Sequence, residues 1–493
     1  MINRRQFLIA STASAAMLSS NTMSQTVARP LPLIPMTDLT SGIDGRIPLE
    51  LMSSTHDFGN GASSDTFGIN NNYLGPVLRV RQGQTLPFDV KNSINDVSTL
   101  HWHGLHIPGD VDGGPHQEIE MGQTWSPDVP IVQHASMNWF HSHTHGKTAQ
   151  QTYNGLAGVM LVEDDASLSA DLPKTYGVDD FTLILQDKTF DNAGKMNYEL
   201  TGEVFEEGFL GDTFVVNGAI APVGANVPKG LVRLRLLNAC NARFLTLSMS
   251  NGPINVIASD GGFLASTIQS QSIIMSPGER YEILVDMNTI ESNSLMVDYE
   301  LENEGVIGFL GGLFGGGDQN VTLLTLTQNS DQGFSGSMPE KLASLSAPKP
   351  SDATTTRSFE LSMGGDDAQL AALALAWGNI CGEGAMSING QPMNMDRVDE
   401  EVKIGSTEIW RISVDEDLHP FHIHGCSFRI LSQSGVEVPA YAQGWKDMVH
   451  VDEGWSEVLV KFDYKAPKDA PYMYHCHILE HEDCGMMGQF TVT

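Results

Sequence analysis

Positive charge and cysteine are both scarce in this chain. Against 60 Asp and Glu stand only 27 Lys and Arg, a formal net charge of −33 over 493 residues, so the basic footprint that a nucleic-acid binder needs is missing. A general nucleic-acid partner is thereby excluded. An acidic surface instead attracts cations, and it serves equally as an adaptation to salty surroundings. A long apolar run is also missing near the start: the small-residue stretch that ends at Leu18 is about a dozen residues, too short for a stable spanning helix. Only five cysteines occur, at 240, 381, 426, 476 and 484.

One of those cysteines sits in the densest donor segment of the sequence. His475-Cys476-His477-Ile478-Leu479-Glu480-His481-Glu482-Asp483-Cys484-Gly485-Met486 brings together imidazoles, a thiolate and a thioether. Two His, one Cys and a long axial Met are the ligand set of a blue-copper site, and the segment supplies Cys476, His481 and Met486. On a β-strand side chains alternate faces, so Cys476 would point one way and His475 and His477 the other. One metal would hold the cysteine and a second centre the flanking histidines, which argues for an enzyme that passes electrons between sites rather than a single carrier.

Three more His-x-His pairs are available as partners: His101-Trp102-His103-Gly104, His141-Ser142-His143 and His422-Ile423-His424-Gly425. Each pair is expected to present both imidazoles on one strand face, with Trp102, Ser142 and Ile423 turned away. His419, leading His419-Pro420-Phe421-His422, is free to be the second imidazole of the blue site. With His481, the pairs and His419 account for ten of the sixteen histidines. A single such pair is more often a half-buried polar couple than a ligand set; four pairs with a Cys centred in one of them are not.

The order HWHG, HxH, HPFHIHG and HCHxxxH resembles the multicopper oxidases, from about residue 45 to the end, and is closest to the bacterial cuprous oxidases of copper tolerance. The resemblance implies four copper ions. A type 1 copper would be held by His419, Cys476, His481 and Met486, and a type 2 copper by His101 and His422. Two type 3 coppers would take His103, His141, His143, His424, His475 and His477. O2 would be reduced to water at the type 2 and type 3 cluster, with Cys476 and its neighbours as the covalent electron path. Soft thiolate suits the copper that cycles quickly, and neutral imidazole suits copper that leaves positions open. Met486 should give a lower potential than Leu or Phe there, while Met487 falls at a packing position.

Two acids match the family's proton-relay positions: Asp112, in Asp112-Gly113-Gly114-Pro115, and Glu482. The competing readings are a turn residue before the Gly pair for Asp112 and a solvated carboxylate for Glu482. The other histidines, at 56, 106, 116, 134, 145 and 450, fall outside the motifs; His106 and His145 lie close enough to them for an outer role, although surface or packing positions are expected.

The leader Asn3-Arg4-Arg5-Gln6-Phe7-Leu8-Ile9 looks like a twin-arginine export signal spanning residues 1–28, cleaved between Ala15 and Ala28. This places the mature chain in the periplasm or outside the cell. The remaining length suits about three domains. Strand-like segments at Val77 to Val80, Thr182 to Gln186, Val232 to Leu237, Ile283 to Asp286 and Val458 to Phe462 predict an all-β fold. The resemblance makes it three cupredoxin-like Greek-key β-sandwiches, at 45–165, 174–336 and 358–493. Boundaries are predicted at Glu163 to Pro173 and Ser337 to Arg357. The third domain would carry the type 1 copper, the contact between the first and third would enclose the cluster, and the middle domain would be structural. Cys240, Cys381, Cys426 and Cys484 allow three full pairings; a Cys426–Cys484 bridge and free buried thiols are both open. A monomer is expected.

The substrate is the least constrained element. The family's Met-rich insertion is replaced by the apolar run Ala368 to Trp377, read as a short helix over the blue site, followed by Cys381 and Met386. Met363 and Asp415 match the family's substrate-copper positions, Asp417 stands where a Met is expected, and Asp366 and Asp367 lie close by. Carboxylates are harder ligands than thioethers, which weakens a claim to Cu(I). A Gly-rich loop, Gly305 to Gly317, is a candidate lining for the same approach. Cuprous-ion oxidation, with an additional substrate copper, is therefore weighed against laccase-like oxidation of phenols. A non-catalytic role in cell division or structure occurs among relatives that have lost their coppers, and the complete ligand set argues against it here.

Overall fold

The computed structural model describes residues 28–299, 319–342, 346–363, 386–414, 417–452 and 454–493. Among them the strands form six sheets, stacked in pairs as three β-sandwiches. In the first, Met36–Asp38, Val77–Arg81, Ala157–Glu163 and Ser136–His141 face a sheet built on Ser64–Ile69, Ile47–His56 and Thr85–Ser93. Ile47–His56 and Thr85–Ser93 alternate buried and open residues, as sheets with one wet face do. Ser136–His141 and Ala157–Glu163 are buried throughout. Their second face is dry because Trp139, Val159 and Leu161 pack on Ile184, Val215 and Leu237 of the middle domain.

The middle domain joins a six-stranded and an eight-stranded sheet over Leu183, Val232, Leu234, Leu247 and Ile283. In the third domain two five-stranded sheets enclose Phe359, Trp410, Phe421, Tyr474 and Phe490. The all-β reading holds, and all five segments read as strand-like lie wholly or largely within observed strands. The fold also uses residues ahead of the predicted start at 45. Arg29–Pro30 pairs in parallel with Val223 and Gly224 of the middle domain, and Met36–Asp38 with Val77 to Arg79 of the first.

No helix among the described residues is long and apolar enough to cross a membrane. The signal segment up to residue 27, the Gly305 to Gly317 loop, the Ala368 to Trp377 run and Cys381 lie outside the described residues. Cys484 is disulfide-bonded, whereas Cys240 and Cys426 are free and buried. The Cys426–Cys484 bridge considered from sequence is therefore not formed.

Candidate metal centres

The four His-x-His pairs sit at strand ends. His141 closes the strand Ser136–His141 and bridges antiparallel to His101, while His422 of His419–Ile423 pairs with His475 of Tyr472–Cys476. The second members, His103, His143, His424 and His477, fall just beyond regular strand. The expectation of two imidazoles on one strand face is corrected accordingly: the first follows the pleat, and the second turns back beside it as the chain leaves the sheet. Ring centroids within a pair stay 5.0 to 6.0 Å apart. Two of these exits need glycine. Gly104 and Gly425 have φ of 88° and 71°, where side chains are strained; a Cβ on Gly104 would also come within 2.7 Å of Arg280 and Asp447.

The eight paired imidazoles converge between the first and third domains, all buried. Nε2 of His143, His424 and His475 lie 3.2, 3.3 and 3.2 Å from one another. Each Nδ1 faces an acceptor on its far side: Glu482 Oε1 at 3.1 Å for His143, Asp112 Oδ2 at 2.8 Å for His424, and the Cys476 carbonyl at 2.9 Å for His475. The hydrogen bonds of His424 and His475 draw their ring protons to Nδ1 and leave their Nε2 lone pairs pointed at each other and at His143 Nε2. Such a trio is repulsive without a cation. Nitrogen ligands about 2.0 Å from one ion in tetrahedral directions stand about 3.3 Å apart, which is the spacing found.

Close by, His141 Nε2 lies 3.4 Å from His103 Nδ1, and the His477 ring sits 5.1 Å from that of His103. Nε2 of His101, Nε2 of His422 and both nitrogens of His477 are buried without a hydrogen-bond partner, a costly state that a metal taking the one lone pair of each ring would relieve. Burial, then repulsion from neighbouring imidazoles, holds the pKa of His103, His143, His422 and His424 well below the usual value. These rings are neutral, the form a metal requires.

The second centre is built from three side chains. Cys476 Sγ lies 3.5 Å from His419 Nδ1 and 3.8 Å from His481 Nδ1, and the two nitrogens are 3.3 Å apart. Burial pushes the Cys476 thiol well above its ordinary pKa, so a cation between the imidazoles is what would make it a thiolate. His481 is pulled down to about 3 by burial and by His419. Its Nε2 meets the carbonyl of Glu206 at 3.0 Å, so a middle-domain helix, Gly202–Glu207, orients a third-domain candidate donor. Met486 is fully buried in the third-domain core beside Cys476.

Both predicted acids touch the imidazole cluster. Asp112 is buried at the end of a short 3-10 turn, Gly109–Val111, and reaches His101 Nδ1 through its carboxylate at 3.3 Å and its carbonyl at 3.0 Å, besides His424. Glu482 is buried rather than solvated. Its oxygens lie 3.1 Å from His143 Nδ1 and 3.2 Å from His475 Nδ1, without the alignment of hydrogen bonds. Burial, then Asp483, raises its pKa well above the carboxylate range.

Asp447 was not singled out from sequence. Its carbonyl accepts from His422 Nδ1 at 2.8 Å and its Oδ1 lies 3.3 Å from His103 Nε2. Arg280, from the middle domain, clamps that carboxylate at 2.6 Å to each oxygen. Among the described residues the middle domain thus adds no side chain to the donor clusters but holds two of the clustered imidazoles in place, a correction to its reading as merely structural. Of the substrate-copper candidates, Met363 is half-buried at the end of Thr355–Met363 opposite Met386. Asp417 is exposed with φ of 62° and belongs to none of the metal-capable clusters among the described residues. Asp415, Asp366 and Asp367 lie outside the described residues. The other histidines join no such cluster either.

Two neighbouring buried donor clusters, one with a cysteine and one all imidazole, on stacked β-sandwiches are the donor sets of a class of metal-dependent redox protein. Models of the multicopper oxidase family match residues 51–167, 138–305 and 357–493, and the chain belongs to that family. Family membership implies copper as the metal. Among curated relatives, a protein named cell division protein FtsP from Escherichia coli K12 is 35% identical over 501 residues, covering 100% of this chain and 99% of that one. The FtsP of Xenorhabdus nematophila is 34% identical over 495 residues, covering 100% and 98%. Among solved structures, a laccase-like multicopper oxidase, CueO, from a lignin-degrading Ochrobactrum species is 40% identical. It covers 94% of this chain and 100% of its own, with a TM-score of 0.84. McoA from Aquifex aeolicus is 29% identical, covers 94% and 99%, and gives 0.80.

Proposed function

We propose that the protein is a copper-dependent oxidase that takes single electrons from a substrate at the Cys476 centre and delivers them to O2 at the imidazole cluster. The observation that carries this reading is the trio of facing Nε2 atoms of His143, His424 and His475, of which His475 is the chain neighbour of Cys476. His419, Cys476, His481 and Met486 would hold the type 1 copper, and His101 and His422 the type 2 copper. His103, His141, His143, His424, His475 and His477 would hold the type 3 pair. Bound there, four coppers would supply one-electron transfer at the thiolate and four-electron reduction of O2 to water at the cluster.

The chain's own groups position and protonate. Asp112 fixes the rings of His101 and His424, and Asp447 those of His103 and His422. Glu482, whose burial favours its protonated form, lies 3.1 Å from His143 Nδ1 and 3.2 Å from His475 Nδ1 and is the acid proposed for the cluster. Cuprous ion is the proposed electron donor, with Met363, Asp415 and Asp417 as the proposed holders of an additional copper bound as substrate. A phenol is the second reading, favoured by the Ochrobactrum relative, whose described activity is toward lignin model compounds. The relatives named for cell division raise a third, a non-catalytic role; the complete donor set of ten histidines, Cys476 and Met486 weighs against it. A monomer exported to the periplasm by the twin-arginine route completes the proposal.

Steady-state rates with Cu(I) and with 2,6-dimethoxyphenol, each with and without added Cu(II), separate the readings. The cuprous reading expects the higher rate with Cu(I). Strong preference for the phenol without added copper overturns it in favour of a laccase. Absence of an intense blue band from the copper-loaded protein overturns both.

A further inference from the structure

Away from the metal centres, a cleft of about 270 Å³ opens to solvent between the middle and third domains. Its walls come from Phe263, Leu264 and Ser266 on one side and from Arg429, Gln443 and Trp445 on the other. Arg429 lies on the strand Phe428–Gln433, half-buried, with Nε shielded from water and without a hydrogen-bond partner. Every other arginine among the described residues reaches a carboxylate or a carbonyl, from Arg29 on the Phe58 carbonyl to Arg411 on Glu457. Arg429 has neither, in a chain where acids outnumber bases by 60 to 27. The described lining contains no Asp or Glu at all. Burial alone lowers the Arg429 pKa, with no anion to offset it.

An unpaired guanidinium lining a cleft without a carboxylate is a poor arrangement for stability and a good one for a ligand that brings its own negative charge. The Arg429 guanidinium carbon lies 5.9 Å from the Trp445 ring, so aromatic surface and cation are presented together. The wall is fixed in advance. The Trp445 carbonyl accepts from Ser259 Oγ at 2.9 Å and from Gly261 N at 2.8 Å, both in the middle domain. Phe263 and Leu264 are buried beneath the cleft. The volume is at the small end for ligand sites, which run from about 300 Å³ upward, and suits a single ring. We propose that this cleft binds a small aromatic carboxylate, its anionic head on Arg429 and its ring against Trp445 and Phe263.

The test is calorimetric titration of benzoate into the full-length, copper-loaded protein, with benzamide and inorganic phosphate as comparison probes. Saturable one-to-one binding of benzoate is expected. Benzamide, which has the ring without the charge, and phosphate, which has charge without the ring, should each bind roughly tenfold to a hundredfold more weakly. Arg429→Gln should weaken benzoate by a similar factor and Arg429→Lys by less, with the blue band unchanged in both. No saturable binding of benzoate overturns the proposal, as does equal affinity for benzamide or phosphate. The probe comparison stands on the unmodified protein, so it decides the matter even if a variant fails to fold.

Discussion

Both terminal nitrogens of Arg280 lie 2.6 Å from the carboxylate oxygens of Asp447, and one of those oxygens stands 3.3 Å from Nε2 of His103. A middle-domain cation therefore sets the orientation of a candidate metal donor that the first domain provides. Hydrogen-bonded neighbours of this kind typically contribute about 10- to 100-fold in metal affinity. Asp447→Asn should load fewer than the full complement of coppers, by metal analysis after dialysis, while the blue band stays. Full loading with unchanged affinity would show that the contact does not orient His103.

Glu482 sits between His143 and His475 with its pKa raised well above the carboxylate range by burial and by Asp483. Glutamine keeps the shape and loses the proton. Glu482→Gln should slow reoxidation of the reduced protein by O2 by about 10²- to 10⁴-fold, with reduction of the blue centre by substrate unaffected. Stopped-flow absorbance with each half-reaction run separately makes the distinction, and equal slowing of both would contradict the assignment.

Much of this site was legible from sequence because ligand donors must be particular atoms. His101, His103, His141, His143, His419, His422, His424, His475, Cys476 and His481 all fall in buried clusters able to hold a metal. What holds the ligands was less visible. Arg280 and Asp447 are 167 residues apart, in different domains, and nothing in Glu279-Arg280-Tyr281 or Lys446-Asp447-Met448 distinguishes a buried ion pair from two surface charges. Glu482 could be placed but its burial could not. Short strands were missed for another reason: Arg29–Pro30 and Met36–Asp38 have two and three residues and no alternation to detect, and they exist only because distant strands offer an edge.

Lys188 gives a pH prediction independent of copper. Its amine is buried, donates to the Tyr153 carbonyl at 2.6 Å, lies 3.7 Å from that residue's ring centroid, and is pulled down to about 7 by burial. Between that value and the ordinary 10.5 the unfolded chain carries a proton that the folded one lacks. Stability from this residue therefore rises with pH across the window, by at most about 1.4 kcal/mol per pH unit. Urea midpoints for the parent protein and Lys188→Met from pH 7 to 10 should converge or cross in that sense; a constant difference would contradict it.

Removal of copper should expose the cost of neutral imidazoles. His477 and His481 are both lowered to about 3 by burial, whereas unfolded histidine takes its proton near 6.5. Below that pH the unfolded state binds protons the folded one refuses, so the copper-free protein loses stability from these groups as pH falls from about 6.5 toward 3. Thermal melts of copper-free protein should fall more steeply between pH 7 and 5 than those of copper-free His481→Gln. Parallel curves would place the His481 pKa near its ordinary value.

The most direct test is oxygen uptake by the copper-loaded protein supplied with Cu(I), measured against Cys476→Ser loaded in the same way. The account predicts an intense blue band and sustained O2 consumption in the parent, and loss of both in the variant, with copper retained by the imidazole cluster. A copper-loaded parent protein that consumes no O2 with either Cu(I) or a phenol, or a Cys476→Ser variant that consumes it undiminished, would contradict the claim that these two centres form an oxidase.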